Sequence, residues 1–106
     1  MEYRYEHFGV PVREKREGMI YYPEYRVWCS EYEKDPFRIE WIFFEVGSRM
    51  HPLIQTVAHV CFLVEDVEEA VRGKKVLLEP VEYQGYHMAF IEVEGVPIEF
   101  IQPGVG

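Results

Sequence analysis

The sequence predicts an α+β fold in which two similar, strand-rich halves make up one small domain. Three observations lead to this prediction: β-branched and aromatic runs dominate the chain, one short helical pattern interrupts them, and two stretches recur. The recurring stretches are "HFGVPV" and "HVCFLV", which begin at His7 and His59, and "IEWI" and "IEFI", which contain Glu40 and Glu99. Each half therefore contains a His followed by a Glu, both of them metal-ligand types.

The first half, about residues 1–50, is predicted to be strands joined by turns. We expect a strand over 7–12, a charged connection over 13–18, one or two strands over 19–32 broken near Pro23, a turn at 33–36 and a strand over 37–46. A linker over 47–52 should then lead into the second half.

The second half, about residues 51–106, is predicted to run strand–helix–strand–strand–strand. Asp66 should cap a helix of about two turns, with Glu69 as its reciprocal partner, and Gly73 should end it. Strands are expected over 56–64, 76–81, 86–94 and 96–101, with a tight turn at 94–95.

Composition disfavours several classes of function. The formal net charge of −8 argues against a nucleic-acid surface, because phosphate binding requires clustered Lys and Arg. No apolar run approaches the roughly 20 residues that cross a bilayer, and the polar N-terminus does not resemble a signal peptide, so we expect a cytoplasmic protein without a membrane partner. Cys29 and Cys61 lack metal-type or redox-type spacing and are predicted to be small buried hydrophobes.

The two carboxylates inside apolar strands need an explanation, because burying a charge without a partner is costly. Side chains alternate along a strand, so Glu40 should share its face with Ile42 and Phe44. Glu40 and Glu99, together with His7 and His59, could hold one divalent cation. Two neutral imidazoles and two carboxylates balance a 2+ charge and suit Zn, Ni, Co, Mn or Fe.

On these four residues and their order, the chain resembles the vicinal oxygen chelate superfamily, which includes glyoxalase I, extradiol dioxygenases and bleomycin-resistance proteins. The resemblance covers most of residues 5–102. It implies two βαβββ-type modules in a curled mixed sheet, with short helices and with the helix of the first module reduced or absent. It also implies metal ligands at His7, Glu40, His59 and Glu99, on the first and last strands of each module.

The resemblance implies a glyoxalase-like, metal-dependent isomerase, epimerase or lyase acting on a small oxygenated metabolite. The metal would stabilise the anion formed by proton removal, and either Glu99 or Glu40 would be the catalytic base. A metal-free binding or resistance-type protein is one alternative. An extradiol-type dioxygenase is another, although a fourth ligand at Glu40 would occupy a position that O₂ chemistry needs.

Other residues carry weaker predictions. His51 should be a surface or hinge residue, and His87 a surface or core residue, with support of a metal ligand as its alternative. Tyrosines should mostly pack, with one or two reaching the cavity; those considered are Tyr3, Tyr5, Tyr21, Tyr22 and Tyr25. Because short helices would cover the outer face of the sheet thinly, we expect a homodimer.

Overall fold

The computed structural model describes residues 1–104 and shows an α+β fold built on one curled, eight-stranded mixed sheet. The strands are β1 (Arg4–Pro11), β2 (Ile20–Tyr22), β3 (Val27–Cys29), β4 (Ile39–Phe44), β5 (His59–Leu63), β6 (Lys75–Tyr83), β7 (Tyr86–Val93) and β8 (Val96–Pro103). The helices are α1 (Pro52–Thr56), α2 (Val67–Val71) and a 3₁₀ turn (Tyr32–Lys34). No helix among these residues is long and apolar enough to cross a membrane.

The order of strands across the sheet is β2-β3-β4-β1-β5-β8-β7-β6. Each half of the chain contributes four neighbouring strands, and the halves join where β1 pairs antiparallel with β5. Within each half the first strand pairs in parallel with the last, β1 with β4 and β5 with β8. The four strands that carry the recurring His and Glu are therefore adjacent at the centre of the sheet.

Most strand predictions are confirmed, with shifted ends. The strand predicted over 7–12 begins earlier, at Arg4, and the stretch 19–32 holds two short strands that flank Pro23. Helix α2 begins after Asp66, whose Oδ1 accepts a hydrogen bond from the backbone N–H of Glu69 at 3.2 Å. The Glu69 carboxylate is directed elsewhere, to Arg72 at 2.5 Å, so the reciprocal bond of a capping box was predicted wrongly.

Helix α1 was not predicted, because five residues are too few to give a periodic signal. It begins inside the expected linker, at Pro52, a residue that favours the first turn of a helix. The exposed His51 caps it, since His51 Nδ1 accepts a hydrogen bond from the N–H of Leu53 at 3.0 Å. His51 is thus a surface residue, as predicted, with a structural role.

The two halves cover the outer face of the sheet differently. In the second half, α2 buries three apolar side chains against β7 and β8; the buried cluster contains Val64, Val67, Ala70, Val71, Ala89, Ile91 and Phe100. In the first half, the connection between β1 and β2 lies over the sheet instead. Lys15 Nζ lies 4.0 Å from the centre of the Trp28 ring, and the Arg16 guanidinium lies 4.5 Å from that of Trp41.

Candidate metal centre

The strand register brings the four predicted ligands to one face of the sheet. Gly9 of β1 is paired with Glu40 of β4 on one side and with His59 of β5 on the other. His7 lies two residues before Gly9 and shares its face, and Glu99 follows on β8, next to β5. All four predicted ligands line the same cavity.

Their polar atoms form a continuous chain of close contacts. His59 Nε2 donates a hydrogen bond to Glu99 Oε1 at 3.0 Å, and the same oxygen lies 3.3 Å from His7 Nε2. Glu40 Oε1 lies 3.5 Å from His7 Nε2. The order along the chain of contacts is therefore Glu40, His7, Glu99, His59.

The two imidazoles are buried, yet three of their four ring nitrogens lack a hydrogen-bond partner. His7 is 4% exposed and His59 is 2% exposed. The unpartnered atoms are Nδ1 and Nε2 of His7 and Nδ1 of His59. Buried polar atoms are rarely left unpaired in folded proteins without a functional reason. These unpartnered nitrogens, beside two carboxylates, fit the donor set of a divalent cation.

Neighbouring residues fix the position of His7. A bulge interrupts the β1–β5 pairing at Glu6, directly before His7, and such bulges redirect side chains near functional sites. Arg38 Nη2 lies 3.1 Å from Glu6 Oε1, and the His7 ring stacks on Tyr32 with centroids 4.2 Å apart.

Gly9 is a site residue that the sequence reasoning missed. A Cβ atom added to Gly9 would lie within 3.0 Å of three atoms of the His59 ring. Only glycine therefore allows this imidazole to lie against β1. A glycine inside a strand is a known sign of close approach, and this signal could have found it.

The two carboxylates differ in charge state. Burial favours the neutral acid for Glu99, but the hydrogen bond from His59 and the nearby His7 imidazole outweigh it and lower the Glu99 pKa to about 2. Burial raises the pKa of Glu40 to about 7, although His7 opposes the shift. Burial alone would lower the pKa of His7, but Glu99 and the other nearby carboxylates outweigh it, so the His7 pKa is raised. Glu99 is thus fixed as an anion, whereas Glu40 exchanges its proton near neutral pH.

Cys61 also belongs to the site, although the sequence indicated only a buried hydrophobe. It is fully buried and lies opposite His7 and Glu99 in the strand register. The ligand atoms of His7, Cys61 and Glu99 lie within 4.8 Å of one another, as do those of His7, Glu40 and His59. Burial, followed by the charge of Glu99, raises the pKa of Cys61 well above its ordinary value, so the thiol is protonated at neutral pH.

The cavity above these residues has a volume of about 220 Å³ and largely aromatic and aliphatic walls. Two of the tyrosines considered from the sequence, Tyr22 and Tyr25, line it; Tyr32, Tyr83 and Tyr86 do so as well. Ile42 and Phe44 line the cavity together with Glu40, which confirms the predicted face of β4.

His87 does not line the cavity. Its Nε2 lies 3.0 Å from Glu82 Oε1, at a partly exposed position on β7. It therefore has the ordinary surface role that the sequence favoured.

Comparison with known proteins gives a likeness of fold. No protein-family model matches the chain, and no curated protein matches it. The chain is similar to the crystal structure of hypothetical protein BH1468 from Bacillus halodurans, with a TM-score of 0.69 and 19% sequence identity. That likeness covers 100% of this chain and 98% of the other, and at this identity it shows the fold alone.

Proposed function

We propose that this protein is a glyoxalase-like, metal-dependent enzyme, an isomerase, epimerase or lyase that moves a proton on a small oxygenated metabolite. One observation carries the proposal. Two buried imidazoles with unpartnered ring nitrogens lie beside two carboxylates, on four adjacent strands at the wall of a cavity. A divalent cation would balance the charge of such a donor set.

The strand order supports the same proposal. From its outer edge, each half presents its second, third, fourth and first strands, in the orders β2-β3-β4-β1 and β6-β7-β8-β5. The second half has a helix between its first two strands, and the first half has a connection without one. We interpret the halves as two βαβββ-type modules, the first without its helix, as in the vicinal oxygen chelate superfamily that the sequence resembles.

In this proposal His7, Glu40, His59 and Glu99 hold one divalent ion, and Cys61 lies close to two of them, His7 and Glu99. The ion would supply Lewis acidity toward two neighbouring oxygens of the substrate. Glu99 is the fixed anion, since His59 and His7 both hold its Oε1. Its role is to keep both rings in place.

Glu40 is the better candidate for the catalytic base. Among the described residues no hydrogen bond to its carboxylate is formed, and its 3.5 Å approach to His7 is its one close charged contact. A ligand carboxylate with no fixed hydrogen bond can loosen from the ion and accept a proton from the substrate. Because Glu40 lines the cavity, its carboxylate can reach a carbon-bound proton of a molecule held there.

Metal analysis tests the proposal directly. Protein purified without chelator and without a metal-binding tag should contain close to one divalent ion per chain. Glu40→Ala and Glu99→Ala should lose it. Glu92→Ala is the matched control and should keep the ion. Glu92 lies on β7 outside the site, and its Oε1 is 3.1 Å from Lys75 Nζ. Protein that stays metal-free after reconstitution with several divalent ions would contradict the proposal.

A metal-free binding protein is the second candidate. The observation in its favour is the cavity itself, whose aromatic and aliphatic walls suit an apolar ligand without any catalytic group. It predicts equal ligand affinity for the wild type and for Glu40→Ala after treatment with a chelator. The metal-dependent enzyme predicts instead that Glu40→Ala abolishes turnover, and that treatment of the wild type with a chelator does so as well.

A further inference from the structure

We infer that the site takes an uncharged, apolar-bodied compound carrying two neighbouring oxygens, and that it discriminates against substrates with a carboxylate or phosphate group. This inference rests on the proposed metal function and names the substrate class of that same site.

The charges around the cavity carry the inference. None of the described residues that line it is Lys or Arg. Two of its acidic residues, Glu40 and Glu99, are proposed metal ligands. The other two, Glu31 and Glu33, form an acidic segment at the 3₁₀ turn. A divalent ion balances only the first pair. An anionic group on a substrate would therefore enter without a counter-charge and beside further negative charge.

The nearby basic side chains are already paired outside the cavity. Arg38 Nη2 lies 3.1 Å from Glu6, and Arg49 Nη2 lies 3.7 Å from Glu24. Lys34 Nζ pairs with Glu31 at 3.0 Å, so it offsets one carboxylate of the segment. Glu33 has no ion pair within the described residues, which makes it the main source of repulsion.

The cavity walls match an uncharged body. Apolar side chains lie beside tyrosines whose phenols stay neutral, because burial raises the pKa of Tyr22 and Tyr25. Phe44, Met50 and Ile54 add aliphatic and aromatic surface. A volume of about 220 Å³ equals roughly seven water molecules at about 30 Å³ each, room for one ring and a chelating head.

A matched pair of chelators tests the inference. Benzohydroxamic acid and 4-carboxybenzohydroxamic acid share the same metal-binding head and ring and differ by one carboxylate. Binding of each to the metal-loaded protein is measured by isothermal titration calorimetry at low ionic strength. We expect the compound without the carboxylate to bind at least about tenfold more tightly.

Substitution of Glu33 then separates charge from shape. Glu33→Gln should reduce the difference between the two compounds by at least about threefold, mainly by improving the affinity of the carboxylated one. Glu68→Gln is the matched control, because Glu68 is exposed on α2, over the opposite face of the sheet, and it should leave the difference unchanged. A thermal melt of each variant checks that it is folded.

The outcomes distinguish this inference from the function beneath it. Equal affinities, or tighter binding of the carboxylated compound, in a protein that holds one metal ion would overturn the inference and leave the proposed function standing. A protein that takes up no metal would overturn both. An affinity difference that Glu33→Gln does not reduce would overturn the role of the acidic segment.

Discussion

In the second half of the sheet, Glu99 Oε1 lies 3.0 Å from one imidazole and 3.3 Å from the other, whereas in the first half Glu40 has one such contact, at 3.5 Å. The Glu99 side chain is 9% exposed and that of Glu40 is 17% exposed. The same residue type, on the last strand of each half, is therefore a fixed anion in one place and a proton-exchanging group in the other.

The strands around the two carboxylates also differ, in their length and in what covers their outer face. Glu99 lies in a set of long strands, β6 to β8, of eight or nine residues each, backed by α2. Glu40 lies on β4, which is followed toward the sheet edge by β3 and β2, of three residues each, with a loop over their outer face. The second half backs Glu99 with long strands and a helix, and the first half supplies much of the cavity wall.

The largest effect should follow from Glu99→Gln. In protein stripped of metal by a chelator, we expect a loss of about 3–5 kcal/mol in the free energy of unfolding at pH 7, because two buried imidazoles lose their charged partner. The Glu99 pKa of about 2 lies below the ordinary 4.5, so its stabilisation is present above pH 4.5 and is lost as the pH falls toward 2. Urea unfolding at pH 7 and at pH 3.5 measures the difference.

Glu92→Gln is the control for this change, since it removes a partly exposed, surface-paired carboxylate from the same half. It should cost less than about 1 kcal/mol. Equal losses for the two variants would show that the imidazoles do not depend on Glu99.

Gly9→Ala should have the next largest effect. The new Cβ would overlap the His59 ring, and overpacking of this kind costs about 2–3 kcal/mol. The displaced ring should also weaken metal binding by about tenfold or more, measured by competition with a chelating dye. The same substitution in a His59→Ala background is the control, and there the loss of stability should largely disappear.

Much of the fold could be predicted because strand runs and their breakers are local signals. The apolar run around Glu40 and the Asp66 cap gave the right elements, and alternation along β4 gave the right face. The bulge before His7 and the five-residue α1 could not be predicted, since each depends on tertiary contacts and leaves no periodic pattern.

The site could be predicted in part for the same reason. The four proposed ligands stand out as polar residues within apolar strands. Cys61 and Gly9 do not, because their place at the site follows from strand register, which links residues about 50 positions apart. The different charge states of Glu40 and Glu99 depend on which imidazole each carboxylate meets, and only the structure shows this.

Glu40→Gln should act in the opposite direction from Glu99→Gln. The pKa of Glu40 is raised from 4.5 to about 7, so its contribution to stability is full below pH 4.5 and declines as the pH rises toward 7. Removing the charge should stabilise the metal-free protein by about 2 kcal/mol at pH 8 and by close to nothing at pH 4.5. Urea unfolding at the two pH values measures this.

Glu17→Gln, an exposed change in the same half and outside the cavity, is the control and should show no such pH dependence. If Glu40→Gln lost stability at pH 8, the carboxylate would be a paired anion like Glu99, and the contrast between the halves would fail.

The smallest effect should come from the outer face of the first half. Arg16→Ala removes a cation from the Trp41 ring, and a contact of this kind contributes about 0.5–1 kcal/mol. Val67→Ala, in the fully buried face of α2, should cost about 1–3 kcal/mol, because it removes core volume. The free energy of unfolding of both variants, measured by chemical denaturation, compares how firmly the loop and α2 pack on the outer face of the sheet. Equal losses would mean that the loop over residues 12–19 packs as firmly as α2, and that the two halves differ only at their carboxylates.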